Sequence, residues 1–304
     1  MKASRRQRIV RILLVSGAVL PVSPVVLLHV VSFLFSLHDR TMKPFASRVV
    51  TDSPGHTLRY YELKQRDAEW NILFIHGTPA TAAVFGEQFR HPFPHANLTA
   101  LDRPGFDASG PDRRHPSLED QANAVGALLN SGSVRRTILV GHSYGAPVAL
   151  LAALKFTNQV AGVVLVGGSV DPAQERTFAI QRFADWPLVS WLVPRSLRQC
   201  NRELLTLRAD LERLQPQLSA LAVPIVMLHG GEDHQVPLAN VDYLRAQLAA
   251  VGKTNLFDQL VFSDYNHFIP WEHPDAVDSA IRTVTSQLSR TTRIQRKESS
   301  LPAD

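Results

Sequence analysis

The apolar run Arg136-Thr137-Ile138-Leu139-Val140 leads into Gly141-His142-Ser143-Tyr144-Gly145, and small apolar residues follow from Ala146 to Ala153. No other feature constrains this chain as strongly. A serine flanked by glycines, where a buried strand becomes a helix, sits on a sharp turn that projects its hydroxyl into open space. The glycines avoid collisions where strand and helix pass closely. Pro147 is tolerated, because amides in the first helical turn have no intrahelical partner to lose.

The rest of the body repeats this alternation. Strands are expected at Thr57–Leu63, Trp70–His76, Leu98–Asp102, Arg136–His142, Val160–Gly167, Val223–His229 and Leu256–Phe262, with a turn at Asp52-Ser53-Pro54-Gly55. Helices are expected near 80–90, 118–130, 144–157, 236–251 and 273–289. Near-continuous apolar strands between amphipathic helices indicate an α/β fold, a mostly parallel sheet covered on both faces. Residues 173–222 separate two core strands by more than a crossover requires, so they read as a helical insertion. Hydrophobic residues at 45% and charged residues at 19% of 304 positions exclude a disordered or fibrous chain.

A serine hydroxyl is a weak nucleophile until a base takes its proton. Asp233, in Gly230-Gly231-Glu232-Asp233-His234, follows one strand, and His267, in Asp264-Tyr265-Asn266-His267-Phe268, follows the next. Loops beyond the carboxyl ends of parallel strands share one edge, so Ser143, Asp233 and His267 can converge in the order of a serine–acid–histidine triad. Asp171, before Pro172, is a second candidate for the acid. His229, Asp233 and His234 could suggest a metal, but the triad accounts better for Asp233, and no metal is assigned. His142 reads as a residue that braces the serine turn. Asp102 and Arg103 read as a structural ion pair. The single cysteine, Cys200, excludes an internal disulfide and a thiolate-cluster metal site and reads as an inert apolar side chain.

In this order His76-Gly77-Thr78-Pro79, Leu101-Asp102-Arg103-Pro104-Gly105-Phe106, GHSYG, GGEDHQVP and NHFIPWEHP make residues 57–290 resemble the α/β-hydrolase fold superfamily, specifically its serine hydrolases with a cap domain. Asp107 and Asn266 depart from the glycines that many relatives carry there. The resemblance implies a central sheet of about eight strands, a core of residues 41–172 and 223–290, and a cap at 173–222. It implies an oxyanion hole formed by the N–H groups of Thr78 and Tyr144. It also implies a substrate pocket with Phe178, Phe183, Trp186, Trp191 and Phe268 as candidate lining; His76 reads as a hydrogen-bonding support of the oxyanion loop, with a place in that lining as the alternative. The chemistry implied is cleavage of an ester or related acyl substrate, without a cofactor. C–C bond hydrolysis, thioester cleavage, aminopeptidase action and a non-catalytic membrane-anchored binding protein are the alternatives.

Charge and hydropathy place the ends. Lys2, Arg5, Arg6, Arg8 and Arg11 carry the whole formal charge of +5; residues 290–304 add +2, leaving −2 for the body. A slightly acidic body has no basic excess for nucleic acid. From Ile12 to Leu37, 26 residues carry no formally charged side chain, enough to cross a bilayer core. Residues 1–40 are therefore expected to form a basic flank and a membrane anchor. The flanking charges place the N-terminus in the cytoplasm and the body on the other side. A cleaved signal peptide, giving an exported protein, is the alternative. Residues 291–304 read as a flexible, solvated tail.

Overall fold

The computed structural model describes residues 39–51, 57–110, 116–131 and 137–299. Eight strands form one sheet in the order β1-β2-β4-β3-β5-β6-β7-β8. They are β1 Ala46–Thr51, β2 Thr57–Leu63, β3 Trp70–Ile75, β4 Ala96–Leu101, β5 Thr137–His142, β6 Val160–Val166, β7 Ile225–Gly230 and β8 Phe257–Phe262. The six strands from β3 onward are parallel, whereas β2 is antiparallel to both β1 and β4. Strand β1 was not expected from sequence. It is an edge strand with five of its six residues exposed, so it has no apolar alternation to betray it.

Two cores result from the two-residue period of the strands. Leu73, Ile75, Leu139, Val163, Leu165 and Met227 face one side. There they meet α2 (Leu118–Ser131), α3 (Gly145–Lys155) and α7 (Ala239–Ala250). Their neighbours Phe74, Ile138, Val140, Val164, Val226 and Leu228 face the other side. That layer closes over α9 (Pro274–Ser299) through Val277, Ile281 and Val284. The expected helix near 80–90 is a 3-10 turn, Ala82–Phe85, followed by α1, Gly86–Arg90.

Residues between β6 and β7 form α4 (Ala179–Ala184), α5 (Pro187–Ser190) and the long α6 (Arg195–Leu214). A short α8, Ile269–Glu272, follows β8. The expected tail is corrected in part, because α9 continues to Ser299. Its buried first half provides the nucleus, and Arg, Gln, Lys and Glu extend a helix at little cost once it has started. Among the described residues no helix is long and apolar enough to cross a membrane, and the expected span at 12–37 lies outside them.

Candidate active site

Ser143 stands between β5 and α3 with φ +55°, a left-handed backbone that a non-glycine residue adopts only under strain. The turn is held by the Ser143 N–H on Val166 O (2.9 Å) and the Ala146 N–H on Ser143 O (3.0 Å). A Cβ on Gly145 would stand 2.2 Å from Ile75 O, and one on Gly141 would stand 2.3 Å from Gly145 O. No other residue type fits where strand and helix cross so closely.

Asp233 and His267 come together beside this turn, their loops brought to one edge by β7 and β8. His267 Nδ1 donates to Asp233 Oδ2 at 2.7 Å, with both residues buried. Asp233 Oδ1 accepts the N–H groups of Gln235 (2.9 Å) and Val236 (2.8 Å). Burial pushes the Asp233 pKa up, but the hydrogen bond and charge of His267 and these two N–H groups outweigh it, so the net direction is down. An ionised carboxylate can only accept, which puts the ring proton of His267 on Nδ1 and leaves Nε2 as the free base. Gly167, with φ +52°, lies so close that a Cβ there would be 3.2 Å from Asp233 Oδ2.

The loop after β3 backs onto the serine, since a Cβ on Gly77 would fall 2.7 Å from Ser143 Cβ. Among the described residues, neither the Thr78 N–H nor the Tyr144 N–H has a hydrogen-bond partner. The carbonyl of Gly77 accepts from His76 Nδ1 (2.7 Å) and from an Arg103 terminal nitrogen (3.0 Å). Gly77 C=O and Thr78 N–H belong to one trans peptide unit, so fixing the first aims the second in the opposite direction.

His76 therefore braces the oxyanion loop through hydrogen bonds, as read from the sequence, and its alternative place in the pocket lining is corrected. It is fully buried, and its Nε2 accepts the Arg103 N–H at 3.0 Å. Burial and the neighbouring Arg103 charge hold its pKa well below the usual value. The expected Asp102–Arg103 ion pair is also corrected, because each residue has another partner. Asp102 binds Arg59 at 2.6 Å and accepts the Ala82 N–H. Arg103 binds Glu203 of α6 through both terminal nitrogens, at 2.5 and 3.1 Å, and donates from Nε to His76 O at 2.8 Å. Its guanidinium also lies 4.7 Å from the centre of the Tyr144 ring. Glu203 escaped the sequence reading. Its signal was an acid on the buried face of α6, in line with Cys200, Leu207 and Leu211.

His142 lies behind His267, its ring centre 4.8 Å away, and its Nε2 meets His267 O at 3.1 Å. Burial, then the His267 charge, lowers its pKa to about 3, so it is neutral. Asp171 accepts from Ala173 N at 2.9 Å and Gln174 Nε2 at 3.3 Å, capping its own turn rather than meeting His267. His229 Nε2 is 3.0 Å from Val236 O. Burial pushes the Cys200 thiol up to about 12. Asp107 takes a left-handed φ of +42°, as aspartate tolerates, and pairs with Arg59. Asn266 accepts the Phe268 N–H at 2.7 Å and donates to Glu272 at 2.8 Å.

The aromatic lining is the largest correction. Phe178, Phe183, Trp186 and Trp191 are each more than half exposed, and Phe268 is 42% exposed. They are surface residues around the site and do not enclose a pocket. Helices α4 and α5 are too short, and too interrupted by Pro187, for a period to reveal which side faces the protein.

The profile of the alpha/beta hydrolase family matches residues 72–280. An uncharacterized hydrolase of Saccharomyces cerevisiae is 28% identical over 99 residues, 32% of this chain and 34% of its own length. The uncharacterized protein YqjL of Bacillus subtilis is 23% identical over 62% of this chain and 72% of its own. Among solved structures, the esterase RhEst1 of Rhodococcus sp. ECU1013 has a TM-score of 0.60 at 21% identity, covering 80% of this chain and 99% of that one. A hydrolase of Pseudomonas aeruginosa PA01 has a TM-score of 0.60 at 17% identity, covering 79% and 98%. At these identities the structural likeness carries the fold.

Proposed function

Because this chain belongs to the alpha/beta hydrolase family, we propose that it is a serine hydrolase cleaving an ester or related acyl substrate through Ser143, His267 and Asp233. The observation that carries this reading is the 2.7 Å Asp233–His267 hydrogen bond beside a strained serine turn. His267 Nε2 takes the Ser143 proton as Oγ attacks the substrate carbonyl carbon. Negative charge then builds on the carbonyl oxygen, where the N–H groups of Thr78 and Tyr144 are free to receive it; one such donor is worth about 3 kcal/mol. His267 passes the proton to the leaving group, and water activated by the same nitrogen releases the acyl group from Ser143. Asp233 keeps the imidazole oriented and stabilises its protonated form. Arg103 and His76 act through the Gly77 carbonyl as positioning residues, and His142 positions the His267 backbone.

The test is turnover of short- and long-chain acyl esters by wild type and Ser143→Ala, with fluorophosphonate labelling alongside. Loss of both turnover and labelling in the variant is expected. Full activity in Ser143→Ala would end the proposal. For the ends of the chain, the apolar run at 12–37 and its basic flank support a single-pass anchor with a cytoplasmic N-terminus and the catalytic domain on the other side. Full-length protein should then pellet with membranes and resist carbonate extraction, whereas soluble, trimmed protein would point to a cleaved signal peptide.

A further inference from the structure

The described residues expose eleven large apolar side chains, and eight of them lie on the edge of the sheet that carries Ser143. Six are at positions 178–191; Leu238 and Phe268 follow β7 and β8. Single exposed apolar residues are ordinary, but a concentration on one edge marks a surface that something covers.

Helix α4 has no buried residue and attaches to α6 through polar groups. Asn201 Nδ2 donates to Gln181 O at 2.8 Å, and Arg202 Nε pairs with Asp185 at 2.7 Å. Polar contacts thus hold the segment, while Ile180, Arg182 and Phe183 remain exposed. The segment leaves from beside the serine, where the Ser169 N–H reaches Ser143 O at 3.4 Å, and returns in α6 at Glu203, over the Gly77 loop. The apolar surface therefore borders the candidate site.

The beginning of the described chain identifies what covers it. The 26 uncharged residues of 12–37 end two positions before Asp39. Asp39–Met42 forms a 3-10 helix whose Met42 is fully buried and whose Thr41 hydroxyl reaches Ala83 O at 3.5 Å. Residues 82–85 directly follow the Thr78 loop at the carboxyl end of β3. The run long enough to cross a bilayer therefore joins the body on the same edge as the exposed aromatics. Tryptophan favours the bilayer interface.

We infer that this edge lies against a lipid bilayer, with Phe183, Trp186, Leu188 and Trp191 immersed in its interface, and that the site takes an acyl amphiphile from that bilayer. The second half rests on the serine-hydrolase reading; the first does not.

The four tryptophans are Trp70, Trp186, Trp191 and Trp271, so residues 1–38 contribute no tryptophan signal. Full-length protein is reconstituted in phosphatidylcholine–phosphatidylglycerol vesicles with and without dibrominated phosphatidylcholine. Wild-type tryptophan emission should fall by about half, and the Trp186→Phe/Trp191→Phe variant should lose most of that quenching. Unquenched wild type would overturn the docking, as expected for a patch covered by residues 12–37 or by a second copy. Undiminished quenching in the variant would place another face on the lipid and overturn it equally. For the substrate, Phe183→Ser/Leu188→Ser should turn over a soluble acetyl ester within about twofold of wild type but a vesicle-borne long-chain ester about tenfold more slowly. Equal rates on both, or equal losses on both, would overturn delivery from the bilayer. If wild type cleaves neither ester and resists fluorophosphonate, the hydrolase reading fails while the quenching result stands by itself.

Discussion

Arg103 and Glu203, one hundred positions apart, meet in an ion pair with hydrogen bonds of 2.5 and 3.1 Å, and neither side chain reaches solvent. The same guanidinium holds the carbonyls of His76 and Gly77 and lies against the Tyr144 ring. One cation thus joins α6 to both residues proposed as oxyanion donors. A shift of α6 would be transmitted to the direction of the Thr78 N–H.

Removing the charge at Glu203 tests that link. Breaking a buried pair by deleting one partner costs about 3–5 kcal/mol of stability. Glu203→Gln should also lower kcat about ten- to hundredfold with KM nearly unchanged, because the oxyanion donors act only in the transition state. Glu203→Asp should restore part of kcat. A rise in KM with kcat intact would assign Glu203 to ground-state binding instead.

Asp233→Asn keeps the shape of the acid but favours the wrong histidine tautomer. We expect kcat to fall by about 10⁴-fold, with the fold intact by circular dichroism. Asp171→Asn, whose carboxylate caps its own turn, should leave kcat within about threefold of wild type. The reverse ranking would move the acid to Asp171.

Gly77→Ala places a methyl group 2.7 Å from Ser143 Cβ, closer than two carbons can stand. Either the Thr78 loop or the serine turn must move. A kcat loss of at least about a hundredfold is expected, since small misplacements of catalytic groups have large effects. Wild-type turnover in this variant would show that the loop is free to shift without penalty.

Acid should destabilise the fold through its buried histidines. Burial lowers the pKa values of His76, His142 and His229, His142 to about 3. In the unfolded chain each takes up a proton near pH 6.5, while the folded chain resists it. The unfolded state then binds more protons, so this contribution is intact above about pH 6.5 and lost as pH falls below it. His142 steepens the loss by about 1.4 kcal/mol per pH unit, and His76 and His229 act in the same direction. Thermal unfolding from pH 8 to 4 should show it, and His142→Gln should flatten the slope by one proton. An unchanged slope would mean that His142 titrates normally when folded.

Asp278 carries the opposite sign. Burial raises its carboxyl to about 6, with Asp275 adding and Arg282 and His91 opposing. The folded chain holds this proton more tightly than the unfolded one, so ionisation costs stability as pH rises from about 4 to 6, and the cost persists above 6. Asp278→Asn should therefore raise stability at pH 8 by about 1 kcal/mol after solvent screening and change little at pH 3.5. Equal effects at both pH values would trace the change to shape rather than charge.

The fold was legible wherever a strand was buried on both faces, because unbroken apolar runs such as Ile138–Val140 and Val163–Val166 have few alternatives. Strand β1 was not, since an exposed edge strand has its partner, rather than its side chains, as the reason to exist. The Ser143, Asp233 and His267 positions could be read because each follows a strand of the sheet. The partners of Asp102 and Arg103 could not, for adjacent opposite charges suggest a pair, whereas in the loop after β4 each side chain meets a partner distant in sequence.

The sequence by itself determined the α/β alternation, the serine turn and the order of the residues placed beside it. These follow from local periodicity and from the steric demands of Gly141 and Gly145. Only the tertiary structure decided that Arg103 reaches Glu203, that His76 is fully occupied within the protein, and that the aromatics of 178–191 face outward. Those outcomes depend on which surfaces meet across long stretches of chain. A residue's type sets what it can bind; the fold sets which partners come within a few ångströms.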